Sequence, residues 1–160
     1  MATPRNRIAP ARQRGNALIE LGLVISILMV LMAGIFEYGR AFWFYETLAK
    51  ATRDAARTFS VTPKANIATT GVDKAKDVVY QAAMASGIPG FSSADVTVTC
   101  LDWSGTDYTD GTCTNGTAPA GVRVQVGYDM MIGEFIPFVS NGTGSTTLAP
   151  RTSMRFMDVK

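Results

Sequence analysis

From Asn16 to Phe36 the chain reads NALIELGLVISILMVLMAGIF, with Glu20 as its only charge. At a 1.5 Å rise per residue, a helix of about 21 residues covers the roughly 30 Å hydrocarbon core of a bilayer. The run is too long for the apolar region of a cleavable secretory signal, and no small-residue cleavage site comes after it. The run gives way to FEYGRAFWFYE, which is aromatic and charged, and no cysteine stands close behind to take a lipid. The segment therefore reads as a single membrane span, with residues 16–37 in lipid. Trp43, Phe44 and Tyr45 come just past it, where amphipathic rings favour the interface.

Charge gives the span a direction. Lysine and arginine number 15 against 13 acids, a net +2. Arg5, Arg7, Arg12 and Arg14 all precede the span and no acid accompanies them; the remaining chain has 11 bases against 13 acids and a net charge of −2. The basicity belongs to the N-terminal tail. It argues for membrane orientation with a cytoplasmic N-terminus, and against nucleic acid as a partner.

Glu20 needs an account. An acid near the centre of a span costs about 2.5–3.5 kcal/mol on insertion scales, and less near an end, where it can reach the interface. One reading is an interfacial acid without a role. The other is an acid that a partner neutralises after assembly. If the chain were cut after Gly15, the new amine on Asn16 would lie about one helical turn from Glu20, the fifth residue of the shortened chain.

A glycine after a short basic leader, with an acid five positions on and an apolar helix behind, resembles a type IV prepilin signal. The stretch RGNALIELGLVISILMVLMAGIFEYGRAFWFYETLAKATRDAAR resembles more narrowly the N-terminal region of TadE-like proteins, the pseudopilins of tight-adherence (Flp-type) pili. The resemblance is carried by Arg14–Gly15, Ile19–Glu20, GIFEYGRA from Gly34 to Ala41 and ATRDAAR from Ala51 to Arg57, and covers residues 14 to 60. Ser26 stands near where many relatives carry a proline, which puts an inherited helix kink in doubt. The resemblance implies a leader, residues 1–15, removed by a membrane-embedded prepilin peptidase between Gly15 and Asn16, and pairing of Glu20 with the freed amine. It also implies other pilin-like subunits and an inner-membrane assembly platform as partners. The expected location is the bacterial inner membrane, with the C-terminal part periplasmic, or extracellular where the protein is built into a pilus.

The helix is expected to continue past the membrane over residues 38–62, because no proline intervenes. Ala41, Tyr45, Leu48, Ala51, Ala55 and Phe59 recur at steps of three or four, and Pro63 disfavours helix in the residue before it. The stripe reads as a surface packed on the chain's own domain, with a docking face for another protein as the alternative.

Residues 63–160 are expected to form a small α+β ectodomain. TGVDKAKDVVYQAAMASGIPG reads as a second helix, opened by a box of Thr70 and Asp73 and ended by Gly87 and Pro89. DVTVTC and VRVQVGYDM alternate as half-buried strands, the second placing Val122, Val124, Val126 and Tyr128 on one face. RTSMRFMDV is a further strand opened by Pro150, with Met154 and Phe156 inward. Three or four strands would make an antiparallel sheet packed on the outer half of the long helix.

Two cysteines, Cys100 and Cys113, lie beyond the span on the side assigned to the exterior. They read as one disulfide in an oxidising compartment, or as two free thiols that happen to be near. Between them Asp102, Asp107 and Asp110 invite a calcium reading, but their spacing misses the EF-hand order; a polar turn closed by the disulfide is expected, with no metal. Asn115 and Asn141, each followed by Gly-Thr, match glycosylation acceptors and also ordinary turns. MMIGEFIPFVSNG is apolar for a connection, as cover for the core or as an exposed patch.

The chain has no histidine, and so lacks the commonest general base and metal ligand. It has no G-x-S-x-G, H-E-x-x-H, phosphate-binding glycine loop or S-x-x-K. The expected function is accordingly non-enzymatic and without cofactor, that of a minor pilin or pseudopilin. The alternative is an unprocessed single-pass anchor for a periplasmic binding domain.

Overall fold

The computed structural model describes residues 13–133 and 144–158. Helix α1 runs from Gln13 to Ser60, 48 residues without interruption, or about 72 Å. It continues through Ser26, whose hydroxyl donates to the Gly22 carbonyl at 2.8 Å. The helix continues past residue 37 as expected. The helix stops two residues before Thr62, and the Thr62 N–H closes a final turn on the Phe59 carbonyl.

The two halves of α1 have different surroundings. From Gly15 to Met32 every residue is exposed. From Glu37 onward one stripe is buried: Glu37, Phe44, Leu48, Ala51, Thr52, Ala55, Ala56, Phe59 and Ser60. The stripe packs on the chain's own domain, the first of the two readings its spacing allowed. Tyr45 does not belong to it. Phe44 is the buried ring and Tyr45 is 43% exposed, because the face drifts with the 3.6-residue turn and a strict four-residue step overshoots it. The alanines at 51, 55 and 56 remove side-chain bulk where α1 meets its neighbours, so close packing is possible there.

After α1 a 3-10 turn (Lys64–Asn66) and a π-helical turn (Ile67–Gly71) lead into α2, Val72–Ala85. The expected box of Thr70 and Asp73 is not formed. Gly71 is the residue before α2 and has helical angles, with no side-chain cap. The π turn already supplies preceding carbonyls for the first N–H groups of α2, so no side chain is needed. The end of α2 agrees with expectation. Gly87 adopts φ +67°, the Ile88 N–H reaches back to the Ala83 carbonyl at 3.2 Å, and Ile88 is buried. This is the glycine-terminated close of a helix. Ala75, Val79 and Ala83 form the buried face of α2.

A 3-10 turn (Ser93–Asp95) opens the strands: β1 (Val96–Trp103), β2 (Tyr108–Gly111), β3 (Gly121–Val126), β4 (Tyr128–Ile132), β5 (Gly144–Leu148) and β6 (Arg151–Arg155). The Ser92 N–H binds the Asp95 carboxylate at 2.7 Å at this turn. Four strands make an antiparallel sheet in the order β2-β1-β3-β6. Val98 lies opposite Val124 and Cys100 opposite Val122. Val96, Cys100, Val122, Val124 and Val126 are all buried on the face turned toward the helices, and α1 packs on β3 and β6. The Thr52 and Thr152 hydroxyls meet at 3.2 Å across that contact. The architecture is the expected α+β, with the outer half of α1 as its spine.

One expected strand divides. VRVQVGYDM breaks at Gly127, whose N–H leaves the ladder and donates to the Asp95 carbonyl at 2.8 Å. Beyond it β4 pairs with β5 in a separate two-stranded sheet. Tyr128 and Met130 remain inward, so the alternation persists across the break although the partner changes. Strand β6 comes directly after Pro150 as expected, with Met154 half-buried and Phe156 buried.

Candidate functional site: the bare helix and its junction with the head

Gly15 is exposed on the first turns of α1, and a Cβ placed there would meet nothing within 4 Å. Asn16 and Glu20 are also exposed. Four residues apart in one continuous helix, they lie on nearly the same face and about 6 Å apart along the axis. The structure thus brings Gly15, Asn16 and Glu20 into one short patch. The span behind them is untouched by the head: none of the most apolar window of α1 is buried.

Among the described residues, full burial against the head begins at Glu37. Its carboxylate accepts from the Arg40 guanidinium at 3.0 Å, and Glu37 is only 3% exposed. Arg40 also donates to the Met131 carbonyl of β4 at 3.4 Å. Arg40, Phe44, Pro89, Tyr128 and Met130 line an open recess of about 390 Å³ at this junction. Within it the Tyr128 hydroxyl donates to the Pro89 carbonyl at 2.5 Å, and the Phe91 ring lies 5.8 Å from that of Tyr128. Burial raises the Tyr128 pKa above its ordinary value; nearby Arg40 opposes this and Asp95 adds to it. In the sequence Glu37 and Arg40 are simply two letters of GIFEYGRA, and no role attaches to them. The available signal is an acid and a base three residues apart at the start of the buried stripe.

Cys100 and Cys113 are joined, with Cα atoms 5.0 Å apart. Cys100 is buried in the core at 1% exposure. The loop between them is a β-hairpin rather than a polar turn. Asp110 pairs with Arg123 of β3, and the Asp107 carboxylate accepts the Tyr108 N–H at 2.7 Å at the hairpin's turn. Among the described residues no group of three or more histidine, cysteine, aspartate or glutamate side chains is placed to hold a metal. Asn115 is a turn residue whose side-chain carbonyl oxygen accepts the Ala68 N–H at 2.8 Å, with Gly116 at φ +88° beside it. Of the apolar stretch after β3, Met130 is core and Met131 is 62% exposed. Residues 134–139 and Asn141 lie outside the described residues.

A helix apolar and long enough to cross a membrane, bare over its first half and the spine of a small α+β head over its second, is consistent with one class: a single-pass membrane protein carrying one compact domain. The family is narrower. Residues 15–57 match the model of the family described as TadE-like protein, a match that lies wholly within α1. Residues 15–57, 43 of the chain's 160, are TadE-like in sequence, which supports a protein of that family. No curated protein and no solved structure matches it.

Proposed function

We propose that this chain is a minor pilin or pseudopilin, processed by a prepilin peptidase and taking part in the assembly or function of a tight-adherence pilus. One observation carries the reading. The TadE-like segment begins at Gly15, where Gly15, Asn16 and Glu20 share an exposed turn at the head of a helix that the chain's own domain leaves bare. Cutting between Gly15 and Asn16 frees an amine one turn from Glu20. In a medium of low dielectric constant a carboxylate without a partner is costly, and the amine of a neighbouring subunit offsets that cost. The bare face of α1 is then the surface that packs against other pilin-like subunits. The four arginines before the span keep the N-terminus in the cytoplasm and put the head outside the inner membrane. The role is structural, with no catalysis, cofactor or nucleic acid. The ectodomain makes the chain much larger than the helix-like major subunits that the family resemblance implies, which favours a minor role.

The test is the N-terminus of the membrane-extracted protein. Protein sequencing should read Asn16 first. Gly15→Leu should block cutting, because the peptidase must approach the backbone closely at that position. A Gly15→Leu protein that still begins at Asn16 removes the assignment and leaves a plain anchor.

A further inference from the structure

The apolar surface of α1 continues past Phe36. Tyr38, Phe42, Trp43 and Tyr45 are 75, 56, 64 and 43% exposed. At about 100° per residue they fall on the two flanks of the stripe that faces the head, Trp43 on one and the other three on the opposite one. Between Glu20 and Glu46 the only charged residues are Glu37 and Arg40. Those two face each other at 3.0 Å, with Glu37 buried. The window Leu21–Tyr45 therefore offers lipid no charge that lacks an opposite neighbour.

Its length is informative. Twenty-five helical residues span about 38 Å, against roughly 30 Å for the hydrocarbon core and 40–45 Å with both headgroup layers. If the lipid ended at Phe36, the rings at Phe42 and Tyr45 would stand about 9 and 14 Å above it. Each headgroup layer is only about 5–7 Å deep, so those rings would be bare in water. Shifting the boundary outward places Glu20 in the inner headgroup layer and Glu46 in the outer one. At that height α1 meets β4, through Arg40 and the Met131 carbonyl, and the Met131 side chain is 62% exposed beside it.

We propose that the outer lipid boundary lies within the Tyr38–Tyr45 collar and that the head is seated on the membrane, with Met131 of β4 in contact with lipid. The occupant of this surface is a lipid interface, continuous with the lipid around the span. The Glu37–Arg40 pair then has a physical reason: at this depth each charge neutralises the other, and Glu37 is buried. Glu20 gains one too, because the unassembled chain holds it at headgroup level. The inference rests on the membrane reading of α1 and not on cleavage or assembly.

The protein carries its own control. Trp43 is in the collar. Trp103 is at the far end of the head: Leu101 pairs with Gly121 and Gly121 with Arg155, and the chain after β6 bonds to Ser60 at the outer end of α1. The full chain is reconstituted in phosphatidylcholine–phosphatidylglycerol vesicles whose acyl chains are brominated at shallow or deep positions. Trp103→Phe isolates Trp43. In a Trp43→Phe, Trp103→Phe background, Met131→Trp probes the head and Leu28→Trp the mid-span. Shallow bromines should quench Trp43 and Met131→Trp strongly, deep bromines should quench Leu28→Trp, and Trp103 should keep its emission. Quenched Leu28→Trp with unquenched Trp43 and Met131→Trp overturns the seated head alone and assigns the collar to a protein partner or to water. Unquenched Leu28→Trp overturns the membrane reading and this inference with it.

Discussion

Reducing the Cys100–Cys113 bond should weaken the head by an amount that loop length sets. The two residues are 13 apart in sequence, so the link closes a loop of about 14 residues in the unfolded chain. The chain-entropy model then gives about 10 cal/mol/K, or about 3 kcal/mol at 25 °C. The native side changes little, because β1 and β2 already hold the two ends together through their ladder from Cys100 opposite Gly111 to Trp103 opposite Tyr108. Cys100 also stays packed in the core as a thiol, being 1% exposed. With a urea slope of about 1–3 kcal/mol/M for a domain of this size, 3 kcal/mol moves the midpoint by about 1–3 M. The assay is urea unfolding of the full chain in detergent, followed by tryptophan emission and near-ultraviolet dichroism, with and without reductant. Far-ultraviolet signal is avoided because the span stays helical in the micelle. An unchanged midpoint after complete reduction, verified by mass after alkylation, would refute the loop argument. It would mean that the unfolded head already holds β1 and β2 together.

Three other changes should separate the parts of the molecule. Leu48→Ala empties a fully buried site where α1 enters the core and should cost the head about 2–5 kcal/mol in the same urea experiment, whereas Leu28→Ala in the bare span should leave the midpoint unmoved. Tyr128→Phe removes the bond to the Pro89 carbonyl and should cost about 1 kcal/mol at neutral pH. Because burial raises the Tyr128 pKa in the fold, folding favours the neutral phenol. Its contribution is intact below the ordinary value near 10 and is lost as pH rises through the folded value, so the stability gap between wild type and Tyr128→Phe should shrink across that window; a constant gap would contradict it. Glu20→Gln should leave insertion and cleavage intact, since an amide is no harder to place in lipid, but should reduce pilus number and surface adhesion at matched protein levels. Normal pili would return Glu20 to the status of a tolerated interfacial acid.

Most of the elements are legible in the amino-acid sequence, because their signals are local. An apolar run of lipid-spanning length, charged only at Glu20 and unbroken by proline, specifies α1 wherever the head sits. The valines at 122, 124 and 126 declare a buried strand face by alternation alone, and Gly87 with Pro89 closes α2 through backbone geometry available to few other residues. The patch of Gly15, Asn16 and Glu20 is legible for the same reason, since helix periodicity alone brings those residues to one turn. What tertiary structure decided was partnership. No local rule distinguishes Gly127 as a glycine within a strand from Gly127 as the point where the chain changes sheets; the Asp95 carbonyl and strand β5, distant in sequence, settle it. The start of α2 depends on a π turn held by buried Ile67 and not on its own capping residues. Glu37 and Arg40 read as two charges at the edge of a span; only the tertiary structure buries Glu37 and brings Arg40 to the Met131 carbonyl of β4, because burial belongs to the neighbours a residue is given.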